Sequence, residues 1–164
     1  MSTIANSIFS PELAARFDKL AARYPVKRSA LVPMLLYAQD EVGSITDELI
    51  EEVASRVGIT PLQVNEALSY YSMLHRQPLG KYHVQICTNI SCLLNDGDKL
   101  WEHACKKLGI GHKQATADGQ ISLEEVECIG ACSWAPAIQV NYDFHHFVTP
   151  EKLDQLLDDL RKKP

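Results

Sequence analysis

All five cysteines of this 164-residue chain lie between positions 87 and 132, and four of them form two close pairs. Cys87-Thr-Asn-Ile-Ser-Cys92 has the spacing C-x4-C, and Cys128-Ile-Gly-Ala-Cys132 has the spacing C-x3-C. Thiols that merely fill a core would be spread along the chain, whereas clustering marks a site. Each pair follows a short segment rich in β-formers, Tyr82–Thr88 and Ile121–Val126. If both segments join one sheet, both turns leave it at the same edge and four sulfurs converge. Such a donor set suits either a [2Fe–2S] cluster or a structural zinc ion.

The spacings bear on that choice. A diiron cluster needs two sulfurs for each iron, and one turn per iron would explain two wide pairs. Zinc is most often gripped by a tighter C-x2-C knuckle, although wider spacings are permitted. Gly130, between the second pair, lets backbone amides approach the sulfurs. A dithiol oxidoreductase is a poor fit, because the chain contains no C-x-x-C. Between Lys113 and Lys152 the chain has no Lys or Arg, while Asp118, Glu124, Glu125, Glu127, Asp143 and Glu151 lie there. A cluster in this setting would resist reduction. One carboxylate about 8 Å away at an effective dielectric of about 20 contributes about 2 kcal/mol, an upper figure for a solvated, screened strand face.

The segments around the cysteines set the architecture. Ser10 caps a helix that opens at Pro11 and carries Leu13, Phe17, Leu20, Ala21 and Tyr24 on one face. Ala30–Val42, Asp47–Val57 (capped by Thr46) and a stretch from Thr60-Pro61 to about Leu74 complete a four-helix set with short loops. From Pro78 onward the pattern changes. Tyr82–Thr88, Ile121–Val126, Ala137–Asn141 and Phe144–Val148 read as strands. Asp96–Leu108 and a stretch beginning at Thr149-Pro150 read as helices. The expectation is an α+β protein, an α/β sandwich: a helical bundle over 1–79, then a β-α-β-β-β-α domain of thioredoxin-like kind over 80–164.

Composition excludes several classes. With 46% apolar and 23% charged residues the chain reads as an ordinary globular protein. Its net charge of −5 and the lack of a basic stripe argue against nucleic acid or an anionic membrane surface as partner. No apolar run is long enough to span a bilayer, and Met1–Ser10 carries neither a secretory nor a transit pattern. A cytoplasmic location is expected, where thiols stay reduced.

The cysteine motifs, together with Asp118–Val126, Ala135-Pro136, Val140-Asn141, Gly58-Ile-Thr-Pro61 and Ala67-Leu-Ser-Tyr-Tyr71, resemble the 24-kDa (E) subunit family of NADH:quinone oxidoreductase. These are the thioredoxin-like [2Fe–2S] ferredoxins of respiratory complex I. The resemblance implies one [2Fe–2S] cluster on Cys87, Cys92, Cys128 and Cys132. It also implies a flavoprotein partner that holds FMN and oxidises NADH, and electron exchange between that flavin and the cluster. The chain would then be part of an oxidoreductase without turnover of its own, peripheral to the inner (cell) membrane through its complex. In keeping with this, no G-x-G-x-x-G follows a strand. Related subunits in NAD-linked hydrogenases and formate dehydrogenases share these motifs. A zinc-stapled interaction module is the alternative from a different class.

The remaining candidates have plainer readings. Cys105 lies beside Trp101 and Leu108 on a helix and reads as a core thiol. His145-His146 reads as a hairpin or surface pair, and His75, His83, His103 and His112 read as structural. Trp134 is placed to shield the site, to meet a partner or to fill core. Pro136, entering a strand, is a candidate cis proline.

Overall fold

The computed structural model describes residues 9–162, and the chain divides into two compact units, 1–78 and 79–164. Residues 1–8 of the segment read as carrying no leader lie outside the described residues.

The first unit is helical. Helix α1 (Pro11–Ala21) starts where the Ser10 hydroxyl accepts from the Leu13 amide at 3.1 Å. Helix α2 (Leu31–Val42) is entered through a 3-10 turn over Lys27–Ala30 and stops at Gly43, whose φ of +89° is the left-handed stop that glycine adopts without strain. Helix α3 (Asp47–Val57) is capped by Thr46, and α4 (Pro61–Tyr70) by a Thr60–Gln63 capping box. The last helix ends short of the Leu74 expected from its pattern, because Tyr71 turns extended. The apolar stripes meet in one core containing Leu13, Phe17, Met34, Leu35, Leu49 and Val53. Each such side chain contributes about 1.5–3 kcal/mol by burial, which is all the stripes need to explain them.

The second unit is a sheet with helices on its apolar face. Strand β1 (Tyr82–Cys87) is followed by a single turn of helix, α5 (Ile90–Leu93), and by α6 (Gly97–Leu108). Then come β2 (Gln114–Ala115), β3 (Ile121–Val126), β4 (Ile138–Val140), β5 (Asp143–His145) and α7 (Pro150–Lys162). The sheet order is β2-β3-β1-β4-β5. Strands β1 and β3 run parallel, and every other neighbouring pair is antiparallel. Val84, Ile86, Ile121, Leu123, Ile138 and Val140 form a buried cluster with Leu100 and Ala104 of α6 and with Leu153 and Leu157 of α7. His103 and Lys107 tie α6 to Asp154 and Asp158 of α7.

The expected β-α-β-β-β-α order is therefore present, with α5 and the two-residue β2 added. The last strand is shorter than the Phe144–Val148 read from the sequence. It pairs only from Asp143 to His145, and two residues on Phe147 takes a φ of +49° that breaks the extended run. The Ala135–Pro136 peptide is cis.

One expectation is corrected outright. Glu124 is not part of a solvated strand face: it is 1% exposed. Its carboxylate takes hydrogen bonds from the His83 ring and the Gln85 amide, both at 3.0 Å, and Lys113 Nζ stands 3.6 Å away. His83 also meets the Ser122 hydroxyl at 2.9 Å. Alternation along β3 places Ser122 and Glu124 opposite Ile121 and Leu123, and on this second sheet face both are buried and paired with side chains of β1.

Candidate metal centre

The parallel pairing of β1 and β3 builds the site. Cys87, the last residue of β1, stands in register with Val126, the last residue of β3. Parallel strands point the same way, so the turns that follow them leave the sheet at one end. From β1 the chain bends through Thr88 and Asn89 into α5, where the Asn89 side chain accepts from the Ile90 amide at 2.6 Å and the helical turn carries Cys92. From β3 it runs through Cys128 and Gly130 to Cys132, which opens a 3-10 turn over Cys132–Trp134. Gly130 takes a φ of +76°, a conformation that asks for glycine. Its amide donates to Cys128 Sγ at 3.3 Å.

All four cysteines line one cavity, together with Asn89, Ile90, Ile129 and Ala131. Among the described residues neither an imidazole nor a carboxylate lines it, so sulfur is its metal-binding chemistry. The two pairs differ in exposure: Cys87 and Cys92 are buried, while Cys128 and Cys132 are exposed. Burial, the largest influence, pushes the Cys92 thiol up to about 11. A backbone bond from Ala137 pulls it down, and the neighbouring Cys87 and Cys132 push it up further. The Cys87 thiol points toward the Glu127 carbonyl at 3.6 Å. A metal entering this cavity therefore displaces protons, as thiolate coordination always requires.

Residues 17–161 match the family model of the thioredoxin-like [2Fe-2S] ferredoxins. The chain belongs to this family. Among relatives, it is 41% identical over 144 residues to an E-type subunit of NADH-quinone oxidoreductase from Rhizobium meliloti (strain 1021), covering 88% of this chain and 86% of that one. It is 43% identical over 147 residues to NADH-quinone oxidoreductase subunit 2 of Thermus thermophilus, covering 88% and 81%. Among solved structures, it resembles an NAD+-reducing [NiFe]-hydrogenase chain in the H2-reduced state, with a TM-score of 0.69 at 18% identity. That match covers 82% of this chain but 23% of the hydrogenase chain, and it concerns fold alone.

The donor set fits the group that gives the thioredoxin-like [2Fe-2S] ferredoxins their name. Four sulfurs from two separate turns reach one cavity, two from each side. Cys105 stands apart on α6, half-buried at the edge of the apolar core, as its sequence neighbours suggested. His145 and His146 do not line the cavity. His146 instead stacks on Trp134, with ring centroids 4.9 Å apart. Trp134 is 48% exposed, which removes the core reading of that residue.

Several residues escaped the sequence reading. Thr88 donates its hydroxyl to Glu125 at 2.9 Å, and the Asn89 amide donates to Glu127 at 3.4 Å, so one bond ties the first turn to the end of β3 and the other ties it to the second turn. Gly97, at the start of α6, lies so close to the first turn that an added Cβ would stand 2.8 Å from the Cys92 carbonyl oxygen and 2.9 Å from that of Cys87. Asn89 could have been found as a cap ahead of an apolar run. The close approach of Gly97 leaves no mark in the sequence.

Proposed function

We propose that this chain is an electron-transfer subunit that carries one [2Fe–2S] cluster on Cys87, Cys92, Cys128 and Cys132. Its partner is the flavoprotein subunit of an NADH:quinone oxidoreductase, complex I, which holds the FMN and binds NADH. The single observation behind this reading is the convergence of four cysteines from two strand-end turns on one cavity. Subunit names borne by relatives at 41% and 43% identity favour the quinone-linked complex over a hydrogenase or formate dehydrogenase. The first unit then serves as a helical brace, and residues 80–164 carry the redox site.

When bound, the cluster supplies a centre that gains or loses a single electron without proton transfer. The chain's own residues set the conditions for that exchange. Cys87 and Cys92 hold their half of the site in a dry wall. Gly130 directs an amide hydrogen at a sulfur, which stabilises negative charge there. Glu125 and Glu127 place carboxylates at the two turns and oppose added negative charge, which favours a low potential. Glu124 contributes less, because its carboxylate is already held by His83, Gln85 and Lys113.

No described helix is long and apolar enough to cross a membrane. We place the chain on the cytoplasmic face, attached through its complex, with neither membrane insertion nor nucleic acid as a partner. Analysis of the purified full chain tests the reading. A reddish-brown protein with iron and acid-labile sulfide in equal amounts, and a rhombic paramagnetic signal after dithionite, is expected. A colourless protein with one zinc per chain would establish the zinc-stapled alternative.

A further inference from the structure

The paired sulfurs of the cavity differ in access. Cys87 and Cys92 are 4% and 2% exposed and pack with Ala131 and Ala137 in a small apolar cluster of their own. Cys128 and Cys132 are exposed. All of them line the same cavity, so the exposed pair stands at its opening and the buried pair at its back. The backbones differ in the same sense. The first turn is closed by amide bonds from Leu93 to the Asn89 carbonyl and from Asn95 to the Cys92 carbonyl, both at 3.0 Å, and Gly97 leaves no room behind it. The second turn has open space over Gly130, whose amide bonds to Cys128 Sγ, an atom of the same turn.

This gradient governs how a sulfide-bridged iron pair enters. Between the sulfurs the lining is Ile90, Ile129 and Ala131, with the Asn89 oxygen engaged as the cap of α5. Among the described residues no carboxylate or imidazole lines the cavity, so nothing there but sulfur holds an aqueous iron ion while sulfide is collected. A cluster that arrives already built needs no such foothold. It travels on the thiolates of a donor and can be handed over in halves, one pair of sulfurs taking its place while the donor still grips the rest. The chain presents its sulfurs in such halves, one pair within reach of solvent and one behind it.

We propose that the site is loaded from a preformed [2Fe–2S] cluster carried on the thiolates of a donor molecule, and that Cys128 and Cys132 take it first, before Cys87 and Cys92 complete the shell. The inference rests on the cluster reading above and adds the class of reaction that must supply the cluster, thiolate ligand exchange at iron. In each exchange an iron–sulfur bond to a chain cysteine forms and an iron–sulfur bond to the donor breaks. The cysteine's proton passes to the departing donor thiolate, and neither iron changes oxidation state. The exposed pair is the entry pair, because exposed sulfurs meet the donor without any movement of the fold. The buried pair is the closing pair, and its ligation expels the donor. Cys105, half-buried on α6 outside the cavity lining, takes no part.

Transfer from a glutathione-ligated [2Fe–2S] complex to the metal-free full chain tests the order, followed by visible absorption and by mass spectrometry of the intact species, with the melting point of every variant recorded. The paired substitution at the back, Cys87→Ser with Cys92→Ser, should still capture the cluster but fail to complete the transfer, so that chain, cluster and glutathione are found together. The paired substitution at the opening, Cys128→Ser with Cys132→Ser, should slow capture by about tenfold or more, because a buried pair is reached only after a local opening. Brief treatment of the parent chain with N-ethylmaleimide gives a reading that needs no variant to fold. Cys128 and Cys132 should be alkylated ahead of Cys87 and Cys92, and chains blocked at the first two alone should show the same slowing. Equal capture rates in the two paired variants, faster capture by the opening variant, or earlier alkylation of the buried pair would overturn the order. A parent chain that loads from iron and sulfide but not from the thiolate donor would overturn the proposal and leave the electron-transfer reading standing. A parent chain that takes up no cluster from either source would bring down both.

Discussion

The two sulfur-bearing turns do the same job with opposite means. The Cys87–Cys92 turn is built in. It begins on the central strand, closes into a capped helical turn, buries both thiols and rests against Gly97 with no room for a methyl group. The Cys128–Cys132 turn is built out. Both thiols are exposed, Gly130 sits in the left-handed region with nothing within 4 Å of its absent Cβ, and a short 3-10 turn ends the segment. One half of the cavity is a buried, tightly packed wall, and the other is open to solvent. Preorganisation on one side lowers the ordering cost of binding, while exposure on the other leaves the centre within reach of a partner.

Removing a ligand should have the largest effect. Cys87→Ser and Cys128→Ser should each lose most of their iron, whereas Cys105→Ser should keep the parent's content. Metal analysis of the three decides this, and equal loss in all of them would undo the ligand assignment. The asymmetry predicts a finer order: serine at the buried Cys87 should retain less iron than serine at the exposed Cys128, where water can adapt to the change.

Glycine substitutions should separate the turns by stability. Gly97→Ala drives a methyl group into two backbone carbonyls, which costs up to about 3 kcal/mol and should lower both melting point and cluster retention. Gly130→Ala meets open space and bears only the cost of its backbone conformation, about 1 kcal/mol. Calorimetry of the two variants should show the first melting several degrees lower. The reverse order would mean that the second turn is the fixed one.

Charge should matter less. Glu127→Gln should raise the midpoint potential by tens of millivolts, of the order expected for one partly screened carboxylate. Glu124→Gln should move it less, because that charge is already paired. Redox titration monitored by paramagnetic resonance reads both. The smallest effect belongs to the scaffold behind the fixed turn. A hydrogen bond from His103 holds the Asp154 carboxyl below its ordinary range, with Lys107 adding to the pull. Its stabilisation is therefore present above that range and is lost as pH falls through the lowered value. Asp154→Asn should melt slightly below the parent at neutral pH and keep its iron there, and the two metal-free chains should converge in acid below the ordinary aspartate value of about 3.9.

Much of this contrast was legible in the sequence. The cysteine spacings marked two turns after two strands, and the stripes of α1 to α4 and the cap residues Ser10, Thr46 and Thr60 marked the helices. The features that went unseen are those that depend on distant neighbours. Helix α5 and strand β2 are too short to show a period. The alternation of β3 put Glu124 opposite the apolar core, but only the partners on β1 explain how a carboxylate can be buried there. Gly97 looked like any helix-start glycine, and the left-handed backbone of Phe147 is hidden because phenylalanine gives no hint of it.

Iron-edge X-ray absorption on the full chain, as purified and after reduction, tests the central claim most directly. The account predicts an iron first shell of sulfur alone and a short iron–iron contact, both absent when the four paired cysteines are replaced. Oxygen or nitrogen in that shell, or a single metal without a metal neighbour, would contradict it.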